Sequence, residues 1–390
     1  MTSELLTQII FWISATAIIH SYLLFPIILY ILSKNKQNNT RTYEISDNLP
    51  GISIILAAYN EEKYIEQKIL TTLNTDYPSN KIEFIIGSDN SSDNTDKIIQ
   101  KYTAQFPEIR FFRFNERKGK IRIINELTDK AENNILIMTD AKVFFKKNTL
   151  FHLVKHFKNP EIKAVGGILE NNKKNPDDVS IQEHIYMRNE MIMKYREGIT
   201  GKCSIGVFGA IYAIRKNNFE KVPENFKADD FYVSMKIIQK NGGVIFSEKA
   251  AANQNITGNF KEEYKRKVRI AVGNYQNLIT FLPLLKKPFT KKAFYFFSHK
   301  VIRWTGPFLL LTAFVSNILL LNYDFYKLTF TLFVISLTVP IADFMLKKLN
   351  ININLFRYFT HFYGMNAALA TGFFKYLKGD NSGIWEPSKR

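Results

Sequence analysis

Both ends of the chain are apolar, and most of its charge lies between them, from Lys34 to Arg303. Residues Leu5–Leu32 contain no Lys, Arg, Asp or Glu, and about twenty apolar residues suffice for a helix to cross a bilayer. Trp304–Tyr323 is a second uncharged run, and Leu328–Leu346 is a third, interrupted only by Asp343. A weaker fourth, Tyr358–Phe374, carries His361 and the small residues Gly364, Ala367, Ala368, Ala370 and Gly372. Small side chains let membrane helices approach closely, so this run suits packing against a neighbour as well as crossing. The first run reads as a retained helix rather than a secretory signal, because Glu4 rather than a basic residue precedes it and the run ends in Tyr30-Ile31-Leu32-Ser33-Lys34 without a small-residue cleavage site.

Charge orients these runs. Lys34, Lys36 and Arg41 follow the first and Lys347-Lys348 the third, which places the middle of the chain in the cytoplasm and the protein in the inner (plasma) membrane as a multi-pass chain. Four spans would carry the basic Lys375, Lys378, Lys389 and Arg390 to the outer side, so the fourth run stays open. The balance of 53 Lys+Arg against 35 Asp+Glu gives +18. Much of that excess, including Lys286, Lys287, Lys291 and Lys292, crowds beside the apolar runs, as expected for a lipid bilayer partner. No zinc finger, RNP-like motif or long basic helix points to nucleic acid. The single cysteine, Cys203, excludes an internal disulfide and any multi-cysteine metal site.

Between the runs, short β-branched stretches alternate with polar-faced helical ones. Ile52–Leu56, Glu83–Gly87, Ile109–Phe114 and Asn134–Met138 read as strands, with helices from about Glu61 to Leu73 and over Thr95–Phe106. Such alternation gives an α/β fold with a mostly parallel sheet and flanking helices. The expected organisation is a transmembrane helix over 1–33 and a cytoplasmic catalytic domain over 34–283. An interfacial amphipathic helix over 284–304, transmembrane helices over 305–378 and a tail over 379–390 complete it. The interfacial assignment rests on Phe289–Arg303, where Phe294, Tyr295, Phe296 and Phe297 mix with Lys291, Lys292, His299, Lys300 and Arg303. Ligands of parallel sheets bind at the carboxyl ends of the strands, and the polar residues collect there. Ala57 to Glu62 follow the first strand, Ser88 to Thr95 the second, and Thr139-Asp140-Ala141 the fourth. There is no Gly-x-Gly-x-x-Gly fingerprint and no Walker A sequence, which removes the common dinucleotide and P-loop folds.

The stretches 53–69 (SIILAAYNEEKYIEQKI), 85–98 (IIGSDNSSDNTDKI), 115–125 (NERKGKIRIIN), 206–216 (GVFGAIYAIRK) and 227–237 (KADDFYVSMKI) resemble, in order, the motifs of family 2 glycosyltransferases. These are the GT-A-type, membrane-integrated enzymes that include cellulose, chitin and hyaluronan synthases. The resemblance implies an inverting transfer of a sugar from a UDP-sugar to a saccharide or lipid-linked acceptor. Polymerisation of an exopolysaccharide and single addition are both open. It implies that Ala58, Tyr59, Asn60, Glu61, Asp89, Lys120 and Asp140 bind the nucleotide, with Asp89 accepting from the uracil NH. It also implies that Asp140 holds Mg²⁺ or Mn²⁺, and that Asp230, beside Asp229, is the catalytic base.

Two departures stand out. The family's Asp-x-Asp metal motif reads Asp140-Ala141-Lys142 here, and a lysine cannot ligate a hard cation. The Gln-x-x-Arg-Trp motif of processive synthases reduces to Arg266 to Ile270 followed by Gln276. That leaves Arg266, Arg269 and Gln276 as candidates for acceptor or diphosphate contact. The Lys142 departure supports an alternative reading, a catalytically weakened transferase-like membrane protein that binds a nucleotide or polysaccharide.

Overall fold

The structure is a computed structural model that describes residues 3–171, 178–254, 260–349, 351 and 353–379. The tail from 380 onward, with Lys389 and Arg390, lies outside the described residues, as do Lys173 and Lys174.

Eight strands form one sheet in the order β3-β2-β1-β4-β7-β6-β8-β5. They are β1 (Ile52–Ala58), β2 (Ile82–Ser88), β3 (Ile109–Arg113), β4 (Ile135–Thr139), β5 (Val143–Phe145), β6 (Ile162–Asn171), β7 (Ile211–Arg215) and β8 (Gly243–Gln254). β3, β2, β1 and β4 are mutually parallel, as the strand–helix alternation requires. Beyond β4 the sheet is mixed: β7 runs antiparallel to β4 and β6, and β5 antiparallel to β8, while β6 and β8 are parallel. Apolar runs such as Ile211-Tyr212-Ala213-Ile214 announce a buried strand but carry no sign of its direction, so the reversal was not legible. It has a consequence for the site. β7 begins opposite Thr139, at the carboxyl end of β4, and so delivers the turn before it, Gly206 to Gly209, to the functional face.

Two apolar layers cover the sheet. Ile52, Ile54, Leu56, Phe84, Ile86 and Ile137 point to one face. Ile55, Ile85, Leu136 and Met138 point to the other, where they share a core with Phe25 and Leu29 of the first apolar run and with Phe281, Tyr295, Phe296 and Trp304. The second half of the N-terminal helix therefore packs into this core through Phe25 and Leu29.

Ser3–Ser33 is one helix of 31 residues with a single π-helical turn at His20–Leu24, and it passes length and hydropathy criteria for a membrane span, as does Asp324–Lys348. The run from Trp304 is broken: Lys291–Trp304 and Gly306–Leu319 meet at 67°, and only together do they qualify as a third candidate. Leu5, Ile9, Ile13 and Leu23, and Leu328, Leu332, Ile335 and Phe344, are exposed along these helices, an apolar surface of the kind lipid covers. The fourth run forms the helix Asn354–Leu377, which is not among the candidate spans. Gly372 serves close packing on the domain, since a Cβ there would lie 2.4 Å from Ala271 Cβ, whereas Gly364 has open space beside it; Thr371 bonds Tyr264 at 3.0 Å. Asp343, the lone charge of the third run, pairs with Arg357 at 2.8 Å.

The mixed composition of Phe289–Arg303 is satisfied within the protein. Tyr295, Phe296, Ser298 and His299 are fully or almost fully buried. The His299 ring bridges Glu197 (2.6 Å) and Glu190 (3.0 Å) of the helix Asp178–Gly201. Lys300 and Arg303 each reach Glu190 at 2.7 Å. Arg303 also donates to Ser21 in the N-terminal helix.

Candidate active site

The site is assembled at the carboxyl ends of β1, β2 and β4. Asn60 adopts φ 51°, a left-handed conformation that Asn tolerates better than most residues. That geometry turns the chain so that the β1 and β2 loops stitch together. Ser92 N donates to Asn60 Oδ1 (2.8 Å), Glu61 N to Thr95 Oγ1 (2.8 Å), and Asn94 N to Glu62 Oε2 (3.1 Å). Because Glu61 to Tyr64 form this turn, the first domain helix starts at Ile65 rather than near Glu61. Ala58 is buried at the end of β1.

Asp89, 3% exposed, accepts from Lys118 N (2.6 Å), Gly119 N (3.1 Å) and Arg117 Nε (3.1 Å). The Arg117 guanidinium in turn lies 3.3 Å from the Tyr59 ring centroid. Asp89 thus clamps the turn that precedes the helix Lys120–Lys130, and Gly119 at φ 84° makes that turn possible. The clamp sets the position of Lys120, the first helical residue, whose ammonium donates to Asp140 Oδ1 at 2.8 Å. Burial alone would lower the Lys120 pKa, but Asp140, Asp229 and Asp230 together outweigh it and push it up. Asp140 thus meets this lysine directly, and Asp229 and Asp230 act on it through their charge.

Asp229 and Asp230 open the helix Asp229–Gln239. Asp230 Oδ2 accepts from Gly209 N at 2.7 Å and Oδ1 from Phe231 N at 2.8 Å, which fixes the carboxylate. Burial, reinforced by Asp229, raises its pKa to about 6, against the pull of the Phe231 bond and of Lys194 and Lys120. Tyr212 on β7 is buried beside Asp229, Asp230 and Asp140, and burial first and these acids second push its phenol up.

Lys142 occupies the place of the missing carboxylate and turns to Glu61 Oε2 at 3.5 Å. Glu61 is 4% exposed. Burial raises its pKa to about 7 although Lys142 opposes the shift, and its Oε2 has no hydrogen-bond donor. Beneath them Lys68, wholly buried, donates to Thr139 Oγ1 (2.8 Å) and Val143 O (2.7 Å) and sits 3.5 Å from the Phe145 ring centroid. It pins both sides of the turn that presents Asp140. Among the described residues no three His, Cys, Asp or Glu side chains group as a metal cage. The donor set fits a cation held by one or two carboxylates, Asp140 and the under-bonded Glu61, and completed by phosphate oxygens.

The residues expected near the acceptor divide. Gln276 accepts from Lys227 N (3.0 Å) and donates to Asn225 O (2.8 Å). Both ends of its amide support the loop before the acidic motif, and it is buried. Arg266 pairs with Glu263 at 2.6 Å. Arg269 lines a shallow basic hollow of about 270 Å³ with Lys227, Lys265 and Lys375. Lys68, Tyr212 and Lys194 were missed. Lys68 left a signal, a charge on the buried stripe of Ile65, Ile69 and Thr72, and Tyr212 lies in the stretch 206–216 quoted above.

Among solved structures, the mannosyltransferase PcManGT from Pyrobaculum calidifontis, in complex with GDP-Man and Mn²⁺, superposes with a TM-score of 0.70 over 96% of this chain and 98% of its own, at 19% identity. The fold is that of a GT-A-type glycosyltransferase. The poly-β-1,6-N-acetyl-D-glucosamine synthase of Staphylococcus epidermidis is 26% identical over 79% of this chain and 76% of its own. The probable glycosyltransferase YdaM of Bacillus subtilis is 24% identical over 84% and 83%. Residues 53–226 match the model described as glycosyl transferase family 2. The chain is a glycosyltransferase carrying a family 2 domain.

Proposed function

We propose that the chain is an inner-membrane enzyme that moves a sugar, with inversion, from a UDP-sugar to a saccharide or lipid-linked acceptor at the cytoplasmic face. The observation that carries this reading is the Lys120–Asp140 contact, with the charges of Asp229 and Asp230 bearing on the same lysine. One group of acids can then serve both ends of the reaction, the departing diphosphate and the attacking hydroxyl. The S. epidermidis relative is named for a β-1,6-linked N-acetylglucosamine polymer, so exopolysaccharide synthesis is the favoured use and UDP-N-acetylglucosamine the first donor to try.

The donor's base would lie at the Tyr59–Asp89 end, beside Ala58 and Asn60, with its diphosphate toward Asp140 and Lys120. Asp140, with Glu61 beside it, would hold Mg²⁺ or Mn²⁺, which supplies positive charge at the leaving diphosphate when bound. Lys120 and Lys142 add fixed positive charge at the same end. Asp230, held by two backbone N–H groups, takes the proton from the acceptor hydroxyl as it attacks the anomeric carbon. Arg269 and its basic hollow extend the site toward the acceptor side. Three spans (Ser3–Ser33, the bent pair and Asp324–Lys348) would leave the C-terminus on the catalytic side, where its basic residues belong.

The pH profile tests the assignment. Asp230 works only when ionised, and its pKa is raised to about 6. The kcat/KM for transfer should therefore fall about ten-fold per pH unit below that value and level off above it. A profile flat from pH 5 to 8 would remove Asp230 from the base role. EDTA should abolish transfer and added Mn²⁺ or Mg²⁺ restore it. Undiminished transfer in EDTA would assign the diphosphate charge to the lysines alone.

A further inference from the structure

A crevice of about 450 Å³ lies away from the catalytic acids, between the helix Lys291–Trp304, the turn after the helix Asp229–Gln239 and the start of β8. Lys163, Lys202, Lys291 and Lys292 line it, with one carboxylate, Glu161. Glu161 pairs with Lys202. Lys291 donates to Thr200 O and Lys292 to Asn241 Oδ1, each at 2.8 Å. These neutral oxygens orient the ammonium groups without cancelling their charge. Positive charge is thus held around a hollow by contacts that leave the hollow open, an arrangement suited to a phosphate group.

Its depth relative to the N-terminal helix identifies the source. Ser298 meets His20 and Ser21, and Phe294 and Tyr295 meet Phe25. At about 1.5 Å per residue, Lys291 and Lys292 stand about level with Leu29, near the helix end that Lys34 and Lys36 follow. The helix of 31 residues exceeds the hydrocarbon thickness of about 30 Å by roughly 15 Å. The crevice therefore sits in the cytoplasmic headgroup layer if that helix spans the bilayer. That depth rests on the membrane placement proposed above.

We propose that the crevice binds the phosphate of an anionic phosphoglyceride from the inner leaflet, anchoring the domain against the bilayer beside the bent pair. The test is a thermal-unfolding titration of the full chain in neutral detergent micelles, with phosphatidylglycerol or phosphatidylcholine added. Phosphatidylglycerol should raise the midpoint saturably and phosphatidylcholine should not. The double variant Lys163→Gln/Lys292→Gln should need at least ten times more phosphatidylglycerol, at about five-fold per lysine, while Lys163→Arg/Lys292→Arg should respond as wild type. Equal responses of the Gln variant and wild type would overturn the site. If sn-glycerol 3-phosphate stabilises at the same concentrations, the site takes a soluble phosphate and the lipid assignment falls. The membrane placement fails separately, if the chain stays in the aqueous supernatant when membranes are pelleted without detergent.

Discussion

Replacing Asp230 by Asn is expected to lower the turnover number for sugar transfer by about 10²- to 10⁴-fold, the usual worth of a positioned general base. UDP affinity should stay within about two-fold of wild type, because the proposed base end of the donor site, at Tyr59 and Asp89, is built on β1 and β2. The substitution is not silent for the fold. Both carboxylate oxygens accept backbone N–H groups, and an amide supplies only one acceptor oxygen, so one donor is left facing an NH₂. That costs about 1–3 kcal/mol. Retained UDP binding therefore has to be measured alongside turnover, by calorimetry on the same preparation. Near-normal turnover with intact binding would move the base role elsewhere in the acidic group.

The second large effect concerns stability. Replacing Glu190 by Ala removes the one carboxylate that receives His299, Lys300 and Arg303. Burial alone would raise the Glu190 pKa, but these three partners outweigh it and hold it well below the usual carboxylate range. Breaking a buried pair from one side costs about 3–5 kcal/mol, since the remaining charges stay buried. Arg303 also ties this cluster to Ser21, so the loss should loosen the N-terminal helix from the domain and lower the thermal midpoint in detergent by several degrees. Lys221→Ala, which breaks an exposed pair with Asp129, should leave the midpoint unchanged within error. An unchanged midpoint for Glu190→Ala would show that the cluster is not a structural joint.

The parallel half of the sheet and its polar strand ends were legible because strand length, apolar content and intervening helices follow from local sequence. Strand direction beyond β4 was not, since Ile211 to Ile214 look alike read either way. At the site, local motifs placed Asp140, Asp229 and Asp230 near strand or helix ends, but not their common bearing on Lys120, which depends on the Asp89 clamp and on Gly119. Asp89 illustrates the difference. Sequence likeness suggests contact with a nucleobase, and the fold adds a second role in which it accepts three donors of its own chain. The support that Gln276 gives residues 225–227 is likewise a role that long-range packing alone assigns. Lys142 read as a defect in a metal motif. It is instead the partner of a buried glutamate that would otherwise have no counter-charge.

The most direct test of the central claim is donor turnover by the purified full-length chain. With Mn²⁺ present, it would be offered a panel of radiolabelled UDP- and GDP-sugars with membrane lipid extract and short oligosaccharides as acceptors. Release of UDP together with label in a saccharide or lipid product is the expected result, with UDP-N-acetylglucosamine the leading donor. Absence of nucleotide release and of labelled product with every donor, from protein that still binds UDP, would contradict it.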